Sequence, residues 1–339
     1  MLPSRADTWV GPYILAMTDF QTNQVLSAKS EDSRQWLTSY LQRRARLASQ
    51  ACDFECAPDC TRPGCKSPDL QVPVSLVDLL GAARHRGESV SALYRRHYVL
   101  GLFYNDTDYC LRTVSLKVQK PCPFLAADLC GLYPVRPLPC MLFPEILISR
   151  GLFEEQAVKA QFRDYLCLHR AFQLSPERAR VVATLQQMWE RESLVSCYYL
   201  FGHGHCHLDF TNLIAELPSG VRGKAGAPAG PQLPDATGSQ DFSGSYSEGN
   251  PESVTHRVLE DFFQEHIAAL PPFAGVEEKI AVLDTPAGQA QFLKLMQDEG
   301  LYKKLLQDTG DRDLVFRFTN GKLKSQRRSI LPSEYRFYG

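Results

Sequence analysis

Two short cysteine-rich segments constrain this chain more than any other feature of its sequence. The first, ACDFECAPDCTRPGC, holds four of its eleven cysteines, Cys52, Cys56, Cys60 and Cys65. The second, CPFLAADLCGLYPVRPLPC, holds three more, Cys122, Cys130 and Cys140. Prolines and a Pro-Gly step disfavour helix in both, so loops are predicted. Tight loops can bring several thiolates to about 2.3 Å from one metal ion, and prolines reduce the entropy lost when such ligands are organised.

The cellular compartment of these cysteines is predicted from the signal and membrane-helix patterns of the sequence. Its first residues, MLPSRADTWVGPYILAMTDF, do not contain the charged, apolar and cleavage regions of a secretory signal. Its longest apolar stretches fall short of the roughly 20 residues that a membrane helix needs. We therefore predict a cytoplasmic protein with no membrane association. In a reducing compartment, metal binding or redox chemistry explains clustered cysteines better than disulfides do.

Bulk charge and common motifs exclude several classes of function. The chain has 37 Lys and Arg residues against 38 Asp and Glu residues, so its overall field gives no sign of nucleic-acid binding. It contains no P-loop, no H-E-x-x-H motif and no Gly-rich nucleotide fingerprint after a strand. The predicted partner is a metal ion or cluster, with no nucleic acid and no membrane. A protein partner and the oligomeric state cannot be read from the sequence.

The fold class predicted from apolar spacing is mainly α with a small β element. Helices are predicted in five stretches of the first part of the chain, 33–49, 74–87, 89–101, 159–174 and 176–194. Residues 111–118, LRTVSLKV, alternate polar and apolar side chains with β-branched residues and predict a strand. A second extended piece is predicted for MLFPEILIS, residues 141–149.

A change of composition divides the chain. Residues 218–253 are rich in Gly, Pro and Ser with few aliphatic side chains, which predicts a flexible linker. It separates a Cys-rich metal-binding domain, residues 1–217, from a helical C-terminal region, residues 254–339. In that region, helices are predicted from His256 and from Gly288, with Gly300 interrupting or ending one of them. DLVFRFTNGKLK is predicted to form a hairpin with an Asn-Gly turn.

The cysteine segments carry a family resemblance. C-P-F-L at Cys122, with G-L-Y-P-V-R-P-L-P-C ending at Cys140, resembles the signature of the YkgJ-type cysteine-cluster proteins, described as zinc- or iron-chelating. F-E-C-A-P-D-C-T-R-P-G-C followed by V-P-V-S-L-V-D-L resembles the same family's first cysteine group and the helix after it. The resemblance spans residues 52–170. The first group departs from the family, because Thr-Arg-Pro-Gly separates Cys60 from Cys65 where many members have adjacent or closely spaced cysteines.

Eight thiols are the predicted metal ligands: Cys52, Cys56, Cys60, Cys65, Cys122, Cys130, Cys140 and Cys167. They would serve one iron-sulfur cluster with spare thiols or two four-cysteine zinc sites, and their spacing is diagnostic of neither. Arg136 is predicted to donate hydrogen bonds to thiolates or sulfides. Its alternative is a loop arginine paired with a carboxylate such as Asp128. Tyr133 is expected to pack, and Cys110 and Cys197 are expected to be packing residues rather than ligands.

Two functions follow from these sites. The first is a metal-binding protein without catalysis of its own. The second, implied by the resemblance, is an iron-sulfur-dependent protein-modifying enzyme, because flagellin lysine N-methylases carry a related cysteine cluster. FGHGHCHLDF, with His203, His205 and His207, is the natural place for an active site. A polar, glycine-flexible turn is favoured there over a metal or cofactor site, and a pocket shared with the cysteines would favour catalysis.

Overall fold

The fold is mainly helical with a small β component, as predicted. The computed structural model describes residues 33–52, 60–67, 70–104, 111–149, 165, 173–209, 260–311, 313–319 and 322–328. Its helices are α1 Ser33–Ser49, α2 Pro63–Lys66, α3 Leu76–Arg86, α4 Val90–His97, α5 Leu138–Leu142, α6 Glu145–Ser149, α7 Pro176–Phe201, α8 Val276–Val282, α9 Pro286–Gln297 and α10 Glu299–Asp311. Its strands are β1 Tyr98–Tyr104, β2 Leu111–Val118, β3 Leu125–Ala126, β4 Leu129–Cys130, β5 Cys206–Asp209, β6 Asp313–Thr319 and β7 Lys322–Arg328.

Helices α1, α3, α4 and α7 confirm the predictions made from apolar spacing. In α1, Trp36 and Tyr40 lie one turn apart, both buried, with ring centroids 4.9 Å apart. Ser75 caps α3 through a capping box with Asp78. Ser89 caps α4, so that helix begins at the start of its predicted stretch.

A five-stranded sheet in the order β1-β2-β5-β6-β7 packs against these helices. Strand β2 confirms the prediction for residues 111–118. Strand β1 was not predicted, because the sequence pattern extended helix through residue 101. The helix instead ends at His97, and the apolar run YVLGLFY pairs antiparallel with β2, placing Leu100 opposite Leu116. Strands β5 and β6 pair in parallel, and the other pairs in this sheet are antiparallel.

Three further local predictions were wrong. The two cysteine segments are not loop throughout, because Cys65 lies in α2 and Cys140 in α5, each with a proline in its first turn. The segment 141–149 is not extended, because it contributes to the short helices α5 and α6, and prolines are tolerated in the first turn of such helices. The break between α9 and α10 lies at Asp298, not at Gly300. The Asp298 carboxylate accepts a hydrogen bond from the backbone N–H of Leu301 at 2.9 Å and so caps α10.

Residues from both ends of the described chain share one hydrophobic core. Leu79 of α3 and Phe292 of α9 are fully buried in the same cluster. A smaller cluster joins α5 and α6 to α7 through Leu142 and Val182. The hairpin of β6 and β7 confirms that prediction, while its Asn-Gly turn and the whole of 218–253 lie outside the described residues. Among the helices described, none is long and apolar enough to cross a membrane.

Candidate metal centre

Cys65 and Cys122 form a hydrogen-bonded thiol pair. Cys65 lies in α2, and Cys122 lies in the loop between β2 and β3. Their side chains are hydrogen-bonded to each other, and the backbone N–H of Cys122 donates to the carbonyl oxygen of Cys65 at 2.7 Å. The structure therefore joins one cysteine from the first segment to one from the second.

Two further thiols lie within electrostatic range of this pair. Cys130 lies in β4, where it pairs with Leu125 of β3, and Cys140 lies in α5. Burial and the negative charge of the Cys122 thiolate raise the pKa of both of them, and the charge of Cys140 adds to the raised pKa of Cys65. Four of the eight predicted ligands thus face one neighbourhood from four separate local structures. We call Cys65, Cys122, Cys130 and Cys140 the thiol group.

The pKa values of the thiol group are shifted in different directions. The hydrogen bond from Cys65 lowers the pKa of Cys122 to about 6, with further help from the backbone N–H groups of Phe124 and Leu125 and from Lys120. The same bond, together with burial, raises the pKa of Cys65. Burial raises the pKa of Cys140 to about 12. Cys122 is therefore the thiol most ready to act as a thiolate at neutral pH.

Two of the other four predicted ligands lie in the described part of the chain. Cys52 is exposed just after α1, and Cys60 is half-buried ahead of α2. Cys56 and Cys167 lie outside the described residues. Within the described ranges, no three Cys, His, Asp or Glu side chains lie close enough together to hold a metal ion as they stand.

Arg136 lies between Cys130 and Cys140 in the chain and acts electrostatically on Cys130. Its guanidinium carbon lies 4.1 Å from the centroid of the Tyr133 ring, a cation–π contact. Its Nε atom is buried and has no hydrogen-bond partner among the described groups. The alternative pairing with Asp128 is not seen among the described ion pairs, where Lys66 binds that carboxylate at 2.8 Å. The expectation that Tyr133 packs was wrong, since it is 64% exposed.

A buried ion network borders the thiol group through Arg136. The Arg44 Nη2 atom donates to the backbone oxygen of Arg136 at 3.0 Å and to Asp78 Oδ1 at 2.6 Å. Its Nη1 atom donates to Glu192 Oε2 at 3.1 Å. Asp78 in turn acts electrostatically on Cys140. The sequence did not predict this network, because Arg44 belongs to the run QRRARL, in which each arginine is typical of a solvated helix face.

The network contains two carboxylates and one guanidinium, all inaccessible to solvent. Ser75 Oγ lies 3.0 Å from Asp78 Oδ2 and 2.8 Å from Glu192 Oε2, although its single proton can serve only one of them. A proton held on a carboxyl group would balance the charge and supply the second hydrogen bond. Burial, together with the charge of Asp78, raises the pKa of Glu192 to about 7.

Two residues beside the thiol group were missed by sequence reasoning. Lys120 donates a hydrogen bond to the backbone oxygen of Gly64. Its positive charge works to lower the pKa values of Cys65, Cys122 and Cys140. Its position two residues before Cys122 was a usable signal. Tyr98 has a buried hydroxyl on which Cys122 and Cys140 act. No signal marked it, because Tyr98 lies in an apolar run that the sequence pattern assigned to a helix.

The histidine segment is a turn only in part, because residues 202–205 connect α7 to β5 and the chain then continues as a strand. His203, His205 and His207 are all buried, and His207 lies in β5, the strand between β2 and β6. His207 Nδ1 lies 2.9 Å from Thr113 Oγ1 on β2. His203 Nδ1 lies 3.1 Å from the backbone oxygen of His205. These contacts are structural and tie the end of α7 to the sheet.

The remaining cysteines carry no ligand prediction. Cys197 lies in α7 and packs half-buried against the core, and burial raises its pKa to about 12. Cys206 is fully buried at the start of β5. Cys110 lies outside the described residues.

The chain matches no protein-family model, no curated protein and no solved structure.

Proposed function

We propose that this protein binds a zinc ion or an iron-sulfur centre through thiolates. The observation that carries the proposal is the hydrogen-bonded pair of Cys65 and Cys122, with Cys130 and Cys140 in electrostatic range. Four cysteines would complete a tetrahedral zinc site or hold a cluster. Thiolates bind both, so the donor set does not choose between them.

The surroundings of the thiol group fit a negatively charged centre. A divalent ion with four thiolates carries about two negative charges, which need cations and hydrogen-bond donors when half-buried. Lys120 acts on three of the thiols, and Arg136 acts on Cys130. Arg136 Nε is buried without a partner and could donate to a thiolate or sulfide.

The resemblance to the YkgJ-type proteins supports the same proposal. It assigns metal chelation to the two cysteine segments and makes Cys52, Cys56, Cys60 and Cys167 further candidate ligands. The four residues between Cys60 and Cys65 affect the choice of ligands, because the first group then lacks the closely spaced cysteines of many family members. We therefore propose the thiol group as the primary centre, with the other four cysteines available for a second one.

Metal and acid-labile sulfide analysis of protein purified without oxygen tests this proposal. The test variant is Cys122→Ser with Cys140→Ser, which removes two thiols from different local structures. The control variant is Cys197→Ala, because that cysteine packs in α7 outside the thiol group. We expect stoichiometric metal in the wild type and the control and a large loss in the double variant.

The outcomes separate the possible centres. Iron and sulfide with broad visible absorption would identify a cluster and favour redox or enzymatic work, including protein modification. Zinc in a colourless protein would identify a structural or chelating site. Full metal content in the double variant would refute the proposal, as would a wild type that binds neither metal.

A further inference from the structure

The hydroxyl of Tyr98 is buried beside the thiol group without a hydrogen-bond partner. Tyr98 opens strand β1 and is only 2% exposed. Its oxygen has no partner among the described groups. Buried tyrosine hydroxyls are almost always hydrogen-bonded, because a buried donor without an acceptor loses the hydrogen bond that it would make with water. A hydroxyl of this kind is free to donate to water or to a group bound from outside the chain.

Packing holds this hydroxyl close to the cysteines. The Tyr98 ring lies tilted against the ring of Phe124, with centroids 5.9 Å apart, and Phe124 follows Cys122 by two residues. Tyr98 pairs with Val118, the last residue of β2, and the chain then runs directly to Cys122. Burial raises the pKa of the hydroxyl, and the negative charges of Asp78, Cys122 and Cys140 all raise it further.

Asp78 acts on this hydroxyl but does not accept a hydrogen bond from it, and its oxygens are already bonded to other groups. Asp78 Oδ1 accepts from Arg44 Nη2 at 2.6 Å. Asp78 Oδ2 accepts from the backbone N–H of Ser75 at 2.9 Å and lies 3.0 Å from its hydroxyl. The remaining groups that act on Tyr98 are the sulfur atoms of Cys122 and Cys140. A neutral thiol accepts hydrogen bonds weakly, whereas a metal-bound thiolate carries negative charge and accepts them well.

We infer that the Tyr98 hydroxyl donates a hydrogen bond to a sulfur atom of the metal centre, either a thiolate of Cys122 or Cys140 or a sulfide held by them. This inference rests on the proposed function and extends it by a donor that the resemblance does not assign. The hydroxyl has no hydrogen-bond partner in the metal-free protein, which is costly, and it gains one when metal binding draws a sulfur atom into reach. Its removal should therefore act in opposite directions on the two states.

The test compares Tyr98→Phe with a matched control, Tyr199→Phe. The control hydroxyl donates to the backbone oxygen of Lys279 at 3.0 Å, and burial is the only cause of its raised pKa. Both full-length variants are titrated with Co²⁺ alone, whose thiolate charge-transfer absorption reports sulfur ligation, and with Zn²⁺ against a chromophoric chelator. Urea unfolding of the metal-free proteins gives the second readout.

We expect Tyr98→Phe to weaken metal binding by about 10-fold or more and to shift the charge-transfer band. Its metal-free stability should equal or exceed that of the wild type, whereas Tyr199→Phe should lose stability and keep its metal affinity. Equal affinity and an unchanged band in Tyr98→Phe would overturn the inference and leave the proposed function standing, with water satisfying the hydroxyl. A wild type that binds neither ion and, when purified without oxygen, holds no iron and sulfide would refute the proposed function and the inference together.

Discussion

Arg44 and Glu192, 148 residues apart in the chain, form an ion pair in the core with the Nη1 and Oε2 atoms 3.1 Å apart. The same guanidinium binds Asp78 Oδ1, so one side chain of α1 joins α3 and α7. Two carboxylates would be left uncompensated if this guanidinium were removed. The stability of the helical layer therefore depends on a single arginine.

Replacing Arg44 by Met should destabilise the protein by about 3–5 kcal/mol, because breaking a buried pair strands charge in the interior. Arg46→Met is the control, since Arg46 lies exposed on the same helix. It should change the free energy of unfolding by less than about 0.5 kcal/mol. Urea unfolding followed by circular dichroism measures both. Similar losses in the two variants would show that Arg44 does not carry the network.

The pH dependence of stability should report the proton in this network. The pKa of Glu192 is about 7 in the folded chain against a reference value of 4.5, so the folded state binds the proton more tightly. This stabilisation is complete below pH 4.5 and is lost as the pH rises through 7. Its full size is about 3 kcal/mol.

The Glu192→Gln variant isolates that contribution. Glutamine mimics the protonated carboxyl group, with its amide able to donate to Ser75 Oγ. Between pH 5 and 8 the wild type should lose stability relative to this variant. The comparison is needed because the lowered pKa of Cys122 gives a contribution of opposite sign in the same range. Parallel curves for the two proteins would contradict the assignment.

Arg178 should not tolerate replacement by lysine. Its Nε atom donates to Glu145 Oε1 at 2.6 Å, and its Nη1 atom donates to the backbone oxygens of Ala48 and Gln50 at 3.0 and 2.7 Å. An ammonium group cannot reach all of these acceptors, so Arg178→Lys should cost about 3 kcal/mol. Arg180→Lys, exposed on the same helix, should be neutral in the same unfolding measurement. An unchanged free energy of unfolding in Arg178→Lys would show that the several N–H donors of the planar guanidinium are not needed.

Gly101 in β1 leaves room for a partly buried ion pair. A Cβ atom there would lie 2.7 Å from Lys117 Cε and would collide with the Glu260 carboxylate, which binds Lys117 Nζ at 2.9 Å. Gly101→Ala should therefore cost about 1–3 kcal/mol in unfolding free energy. Gly300→Ala meets only Asp298 Oδ1, at 3.3 Å, and should change stability by less than about 1 kcal/mol. An unchanged melting temperature in Gly101→Ala would mean that the pair moves freely.

Local patterns were sufficient for the long elements of the fold. The ends of α3 and the start of α4 follow from Ser75, Gly87 and Ser89, whose capping and turn chemistry acts within a few residues. Strand β1 was missed because YVLGLFY has no alternation, and only its pairing with β2 distinguishes a buried strand from a helix. Residues 141–149 were predicted to be extended, although Pro144 stands directly before the first residue of α6, where proline is tolerated.

The site could be predicted only in part. Spacing marked Cys65 and Cys122 as metal-ligand candidates, but which cysteines meet is decided by tertiary structure. The contact crosses from the first segment to the second, which no interval along the chain encodes. Arg44 and Tyr98 were unpredictable for a similar reason, because their roles depend on partners brought from distant elements.

The parallel pairing of β5 with β6 has a consequence for cutting the chain. Cys206 lies opposite Leu314 and Leu208 opposite Phe316, so the strands on either side of 218–253 are hydrogen-bonded neighbours inside one sheet. A protease cut within 218–253 should therefore leave two fragments that stay together until denatured. Expressed separately, each fragment would present an open strand edge, and the two should reconstitute the fold by complementation when mixed.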